Sequence, residues 1–321
     1  MAEQYIYAVA RIRSRELTLL NEAVISQLAA ASSEEECLRL LNEKNWGNPE
    51  LPSEEMFREE EKKTWDFIRE LLPRQMEIFD VFRLEKDYHN LKAAVKESCI
   101  DGDHPGIFEE GGSISPKVIE RAVAESDYDA LPEAMREVAR EAKETLLQTR
   151  DGQLCDVLID RAALEAIRSA GEKSGVKLLS DYGELTCATG NIKTAVRAAR
   201  TGKSRQFLEK ALAPCRTLDV AELADAAAQG IDAVVAYLDH TEYADAIDEL
   251  KTSVASFERW CDDRMIRTIQ PQIHNPFGID PIAAYIIARD IEIKTVRIIL
   301  AAKRNGLPEE MLRERVREMY V

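Results

Sequence analysis

The chain has 321 residues, 45% hydrophobic and 32% charged, enough for one large domain or two to three ordinary ones with a real core. A net charge of −16 and a pI near 4.9 exclude a general nucleic-acid binder, which needs an electropositive face for phosphate. Six scattered cysteines without a CxxC pair point to reduced thiols rather than a disulfide framework.

Taken in chain order, nearly every segment between breakers carries helical periodicity, and strand-type alternation is scarce. The opening MAEQYIYAVARIRSRELTLL is charged from its third residue and reads as a helix, unlike an export signal. The pattern predicts helices over Tyr5–Ala31, Pro52–Leu72, Ile114–Glu125, Pro132–Gln148, Arg161–Ser169, Ile192–Arg200, Val220–Ala228, Tyr243–Ile269 and Pro308–Tyr320. Breakers separate them: NWGNPELP at 45–52, DGDHPGIFEEGGS at 101–113, RDGQ at 150–153, RTGKS at 200–204 and QPQIHNPFGIDP at 270–281. Ser32-Ser33 ahead of Glu35 and Glu36, and Ser53 ahead of two glutamates, look like capping signals. The expected fold class is all-α.

The segment from Asn275 to Leu300 is the most apolar in the chain. Its longest uncharged run, Pro281 to Ala288, is eight residues, far short of the ~20 apolar residues a spanning helix needs. On a helix, Ile282, Ile286, Ile293, Val296 and Leu300 form one apolar stripe, flanked by Ala283, Ile287, Ile291 and Ile298. Asp290, Lys294, Arg297 and Arg304 share a polar stripe, with Asp290 and Lys294 spaced for an ion pair. A soluble helix packed on at least two sides is expected. Arg289 falls inside the apolar stripe, and a buried Arg demands a carboxylate; Glu292, three residues on, is the nearest candidate.

An internal repeat organises the chain. NLKAAVK at 90–96, NIKTAVR at 191–197 and EIKTVR at 292–297 fall 101 residues apart both times. In that register Leu84, Leu185 and Ile286 coincide, as do Leu91, Ile192 and Ile293, and Ala94, Ala195 and Val296. Lys92, Lys193 and Lys294 coincide on the opposite side. SPKVIERAV, DVAELADAA and LPEEMLRERV each then start a helix after a turn. Three similar helical domains are expected, at 1–112, 113–216 and 217–321.

Motifs that carry chemistry fail on spacing or context. RTGKS resembles the tail of a phosphate-binding loop, but Arg197 stands where the first Gly belongs and the segment ends a helix. Gly202 reads as a helix C-terminal cap. DGDHPGIFEEGG places Asp101 and Asp103 like calcium ligands, yet Pro105 replaces an oxygen donor and Gly112 replaces the bidentate Glu, so a flexible acidic loop is expected. His89, His104, His240 and His274 show no metal spacing, and no GxSxG or GxGxxG occurs. The acidic runs Glu59–Glu61 and Asp262-Asp263 read as solvated helix faces. No catalytic, cofactor or metal residue is assigned, and no nucleotide site.

The N-terminal YIYAVARIRSRE and the C-terminal NPFGIDPIAAYIIARDIEIKTVRIILAAKRNGLPEEMLRERVREMYV resemble the C subunit of bacterial and archaeal V/A-type rotary ATPases, the counterpart of the eukaryotic V-ATPase d subunit. Ala284, Tyr285, Ile286, Arg289, Glu292, Ile293 and Arg297 fit that family's C-terminal signature, as do Gly306, Leu307, Pro308, Tyr320 and Val321. Tyr285, Arg289 and Glu292 are its structural residues here. The 101–113 loop is longer and richer in Gly than the family pattern. The resemblance implies a funnel of three helical domains with pseudo-threefold symmetry and no catalytic activity. It implies a central-stalk rotor subunit on the cytoplasmic face of the membrane, joining the central axle to the ion-carrying ring and transmitting torque, with the choice of proton or sodium lying on another chain. Basic segments around Arg11, Arg13 and Arg15, or Arg313, Arg315 and Arg317, would then meet acidic partners. A free-standing helical-repeat scaffold is the alternative, disfavoured because common helical repeats have units of ~33–47 residues.

Overall fold

The computed structural model describes residues 5–48, 50–99 and 106–321. Among them the regular elements are helical and no strand occurs, so the fold is all-α. Asp101, Asp103 and Pro105 of the calcium-loop comparison, and His104 among the four histidines, lie outside the described residues. The chain forms two compact units, one from Met1–Met76 with Ala246–Val321 and one from Glu77–Asp245.

The first unit begins with α1 (Ile6–Glu16), α2 (Glu22–Ala30), α3 (Glu34–Glu43) and α4 (Ser53–Leu71). The single helix expected over Tyr5–Ala31 is therefore broken. Asn21 accepts the Val24 amide and caps α2, while the Leu20 amide donates to Glu292, so side chains replace the helical ladder there. The Ser32-Ser33 signal works as read: Ser33 Oγ accepts the Glu36 amide and Glu36 returns to the Ser32 amide at 2.7 Å. Ser53 differs. It is the first residue inside α4, and its hydroxyl lies between Glu34 and Arg304 instead of capping.

The second unit holds α5 (Leu84–Glu97), α6 (Pro116–Glu125), α7 (Glu133–Thr149), α8 (Gly152–Lys173), α9 (Lys177–Thr201), α10 (Arg205–Ala211), α11 (Val220–Gln229) and α12 (Ile231–Leu238). Helices α8 and α9 form a close antiparallel hairpin. A Cβ at Gly171 would meet Leu179 O at 2.3 Å and one at Gly183 would meet Ile167 O at 2.9 Å, so glycine sets their approach. The core of this unit joins Leu91 and Val95 of α5 to Ile119, Met135, Ala139 and Ile159.

The chain then returns to the first unit as α13 (Ile247–Thr252), α14 (Val254–Ile269), α15 (Asp280–Arg304) and α16 (Glu309–Arg313). Ser253, capping α14 through the Ser256 amide, divides the helix expected over Tyr243–Ile269. The helix expected over Pro308–Tyr320 stops at Arg313. Residues 316–321 are non-helical because the backbone and side chains there bond to α14 instead: the Glu318 amide donates to Asp263 at 2.7 Å and Arg317 to Asp262 at 3.0 Å.

Helix α15 is the spine of the first unit. Seventeen of its 25 residues are buried, which requires neighbours on several sides. Its Ile293, Val296, Ile299 and Leu300 meet Leu28, Leu41, Met56 and Phe57 from α2 to α4. Of the polar stripe, Asp290, Arg297 and Arg304 reach the surface as expected, whereas Lys294, expected to pair with Asp290, bonds Asp262 of α14 at 2.9 Å.

The repeat register maps onto α5, α9 and α15. Leu91, Ile192 and Ile293 are buried, as are Ala94, Ala195 and Val296, and the three lysines reach the surface. Leu84 is only half-buried, unlike Leu185 and Ile286. The same register aligns three buried polar residues, Asn90, Asn191 and Glu292. Each fixes backbone of a non-helical segment. Asn90 exchanges two bonds of 2.8 Å with the Glu109 backbone, and Asn191 does so with Ala213 at 2.7 and 2.8 Å. Glu292 accepts the Leu20 amide at 2.5 Å.

Candidate functional site

The residues singled out in the sequence lie on one face of α15, where Tyr285, Arg289 and Glu292 are spaced by roughly one turn. Opposite them, α4 presents Glu60 and Thr64, four residues apart and both buried. Arg289, only 7% exposed, is the centre. One terminal nitrogen pairs with Glu292 and the other donates to Glu60 Oε2 at 2.6 Å, while Nε reaches Thr64 Oγ1 at 3.3 Å. The planar guanidinium suits this forked arrangement, which a lysine ammonium would not reproduce.

Both carboxylates are further satisfied. Glu292, 1% exposed, accepts from Trp46 Nε1 at 2.8 Å on one oxygen and from the Leu20 amide on the other. Glu60 accepts from Lys63 Nζ at 2.6 Å and from the Gly47 amide at 3.0 Å. Gly47 must be glycine: its φ is +75° and a Cβ would lie 2.5 Å from Met56 Sδ. Tyr285 stands edge-on to Phe67 with ring centres 6.0 Å apart.

Burial drives the Glu292 carboxyl above the usual range, opposed by Arg289 and its two N–H donors. Burial also lifts Glu60, but Lys63, Arg289 and the Gly47 amide outweigh it and hold that carboxyl below the ordinary value. Burial acts to lower the Arg289 pKa, yet Glu292, Tyr285 and Glu60 raise it overall, so the guanidinium stays charged. The Arg289 guanidinium and the Glu60 and Glu292 carboxylates are all engaged by groups inside the protein. The arrangement ties α4, the Trp46-Gly47 turn and the α1–α2 junction to α15.

The pairing expected for Arg289 with Glu292 is present, and the structure adds a second carboxylate, Glu60. Reading Glu59–Glu61 and Asp262-Asp263 as solvated faces is corrected. Glu60 and Asp263 are buried, because each carboxylate finds donors supplied by residues distant in sequence. The basic clusters also divide. Arg317 is buried against Asp262, and Arg13 pairs with Glu16 and donates to the Gln272 and Asn275 carbonyls at 2.5 and 2.7 Å, so both are committed internally. Arg11 pairs with Glu70, Arg15 lies over the Phe67 ring, and Arg313 pairs with Glu309.

RTGKS ends α9 as expected. Gly202 has φ +64°, its amide and that of Lys203 both turn back to the Ala198 carbonyl, and Ser204 then caps α10. A helix C-terminus carries the negative end of the dipole, which repels phosphate. Among the described residues no group of three or more His, Cys, Asp or Glu side chains is placed to hold a metal ion, and no helix is long and apolar enough to cross a membrane.

Residues 8–315 match the model of the ATP synthase (C/AC39) subunit family. The chain belongs to this family. Among its relatives, the C subunit of the V-type sodium ATPase of Enterococcus hirae is 24% identical, with 96% of this chain and 97% of the relative aligned. The C subunit of the A-type ATP synthase of Methanothermobacter thermautotrophicus is 25% identical over 97% of this chain and 87% of its own length. The corresponding V-type ATP synthase protein of Thermus thermophilus is 24% identical over 98% and 99%. The match to the C/AC39 family takes in α1, α4 and α15 together, so the Arg289 network lies wholly within the region the family shares.

Proposed function

We propose that the chain is a non-catalytic central-stalk component of a V/A-type rotary ATPase, joining the central axle to the membrane ring and transmitting torque between them. The observation that carries this reading is the family match across residues 8–315, with relatives aligned over nearly their whole length. The physical character of the chain suits the task. A torque adaptor needs stiff helix packing, and the close α8–α9 hairpin and the buried Arg289 network supply it. It needs no chemistry of its own, and the charged groups at Arg289 point at one another. It would work at the cytoplasmic face of the membrane as a peripheral part of the complex, with the axle and ring proteins as partners.

In this reading 1–112, 113–216 and 217–321 are three copies of one helical unit in a pseudo-threefold funnel. The buried polar residues at 90, 191 and 292 support it, since one register position performs one task, fixing loop backbone, in α5, α9 and α15. The experiment is purification from the native membrane. The tagged chain should bring down axle and ring proteins, and alone it should neither bind nor hydrolyse ATP. Stoichiometric ATP turnover by the lone chain would remove the assignment.

A further inference from the structure

We propose that Cys215 and Cys187 form an oxidisable thiol pair, in which a hydroperoxide attacks at Cys215 and Cys187 resolves the product to a disulfide. Cys187 sits on α9, fully buried, one turn before Asn191. Cys215 lies in the non-helical segment after α10 and is partly exposed, beside the exposed Pro214. The two side chains converge on one spot. Asn191 Nδ2 donates to the Ala213 carbonyl at 2.7 Å and lies 3.6 Å from Cys215 Sγ, and the Cys187 thiol lies 3.7 Å from the Pro214 carbonyl. The two thiols are near enough for each to shift the titration of the other. One thiol thus has solvent access and its partner waits behind it.

Polarity separates their roles. Interaction with Cys187 lowers the Cys215 thiol against the opposing effect of burial, while the same interaction together with burial pushes Cys187 far up. The lowered thiol is also the partly exposed one, and its thiolate is the form that reacts with peroxides. By contrast, burial pushes Cys37 and Cys155 up to about 11. The Cys215 thiolate attacks the terminal oxygen of ROOH, giving Cys215–SOH and, after proton uptake, ROH. Cys187 sulfur then attacks the sulfenic sulfur, its proton leaves with the hydroxyl, and one water is released. In sum two thiols and ROOH give one disulfide, ROH and water. The Sγ atoms must approach to ~2.05 Å, and the segment holding Cys215 has no helical ladder to oppose that shift.

The test is hydrogen peroxide treatment of the full-length protein followed by non-reducing peptide mapping. The expected product is two hydrogens lighter, links the Cys187 and Cys215 peptides, and reverts with dithiothreitol. Two of the six thiols should become unreactive. Cys187→Ser should stop at a sulfenic acid on Cys215 that dimedone traps, and Cys215→Ser should abolish both products. Iodoacetamide should label Cys215 at least roughly tenfold faster than Cys37 or Cys155 at pH 7. A different linkage, no linkage, or unchanged thiol loss in Cys215→Ser overturns the proposal. Should a serine variant fail to fold, the map of the unmodified sequence decides alone.

Discussion

Replacing Arg289 with alanine removes the charge shared by Glu60 and Glu292. Glu60 keeps Lys63 and the Gly47 amide and is close to a solvated lysine, so it tolerates the loss. Glu292 is different, because at 1% exposure it keeps only the Leu20 amide and the Trp46 indole, both neutral donors. A stranded buried charge of this kind costs about 3–5 kcal/mol. Glu60→Gln leaves Arg289 paired with Glu292 and should cost about 1–2 kcal/mol, the loss of one charge-assisted bond. Burial already favours protonated Glu292, and losing Arg289 strengthens that bias. The variant binds a proton more tightly when folded than when unfolded, so its deficit should shrink as pH falls and grow as pH rises. The assay is urea unfolding followed by tryptophan fluorescence, with Trp46 as a reporter inside the network. A cost below about 0.5 kcal/mol for Arg289→Ala, or a deficit independent of pH, would refute the reasoning.

Burial raises the Asp263 carboxyl from 3.8 to about 6, against the Glu318 amide that bonds it. Folded protein then holds the proton longer than unfolded chain, so this contribution is complete below 3.8 and is lost as pH rises through about 6. Asp263→Asn should flatten the stability profile there and gain up to about 3 kcal/mol over the native chain at pH 7; an unchanged slope would contradict the assignment. Gly183→Ala forces a methyl against the α8 backbone and should cost about 1–3 kcal/mol, whereas Gly152→Ala, whose Cβ would meet nothing within 4 Å, should be neutral or slightly stabilising. Thermal melts of the two variants side by side decide this, and equal melting temperatures would show that the α8–α9 approach is not glycine-limited.

How much of this was legible depended on whether the partner was near in sequence. The burial of α15 and its polar stripe follow from 3.6-residue periodicity, and Gly202 and Ser33 follow from local cap chemistry. Arg289 announced itself by breaking an apolar stripe, and Glu292 was within one turn. Glu60 was not legible, because it lies among acids on a charged helix and only the fold brings Arg289 to it from 229 positions away. Asp263 hid likewise, since its donor is the backbone of a tail that periodicity assigns to a helix. The polar register at Asn90, Asn191 and Glu292 does carry a signal: each stands one residue before the aligned apolar position of its repeat.

The central claim is mechanical coupling, and ion transport by the assembled complex tests it most directly. Complexes with and without this chain should be reconstituted into vesicles and assayed in parallel for ATP hydrolysis and ATP-driven ion uptake. The account predicts that without the chain hydrolysis by the catalytic proteins persists while uptake collapses, and that adding the purified chain restores uptake. Full ion uptake in its absence would contradict the account.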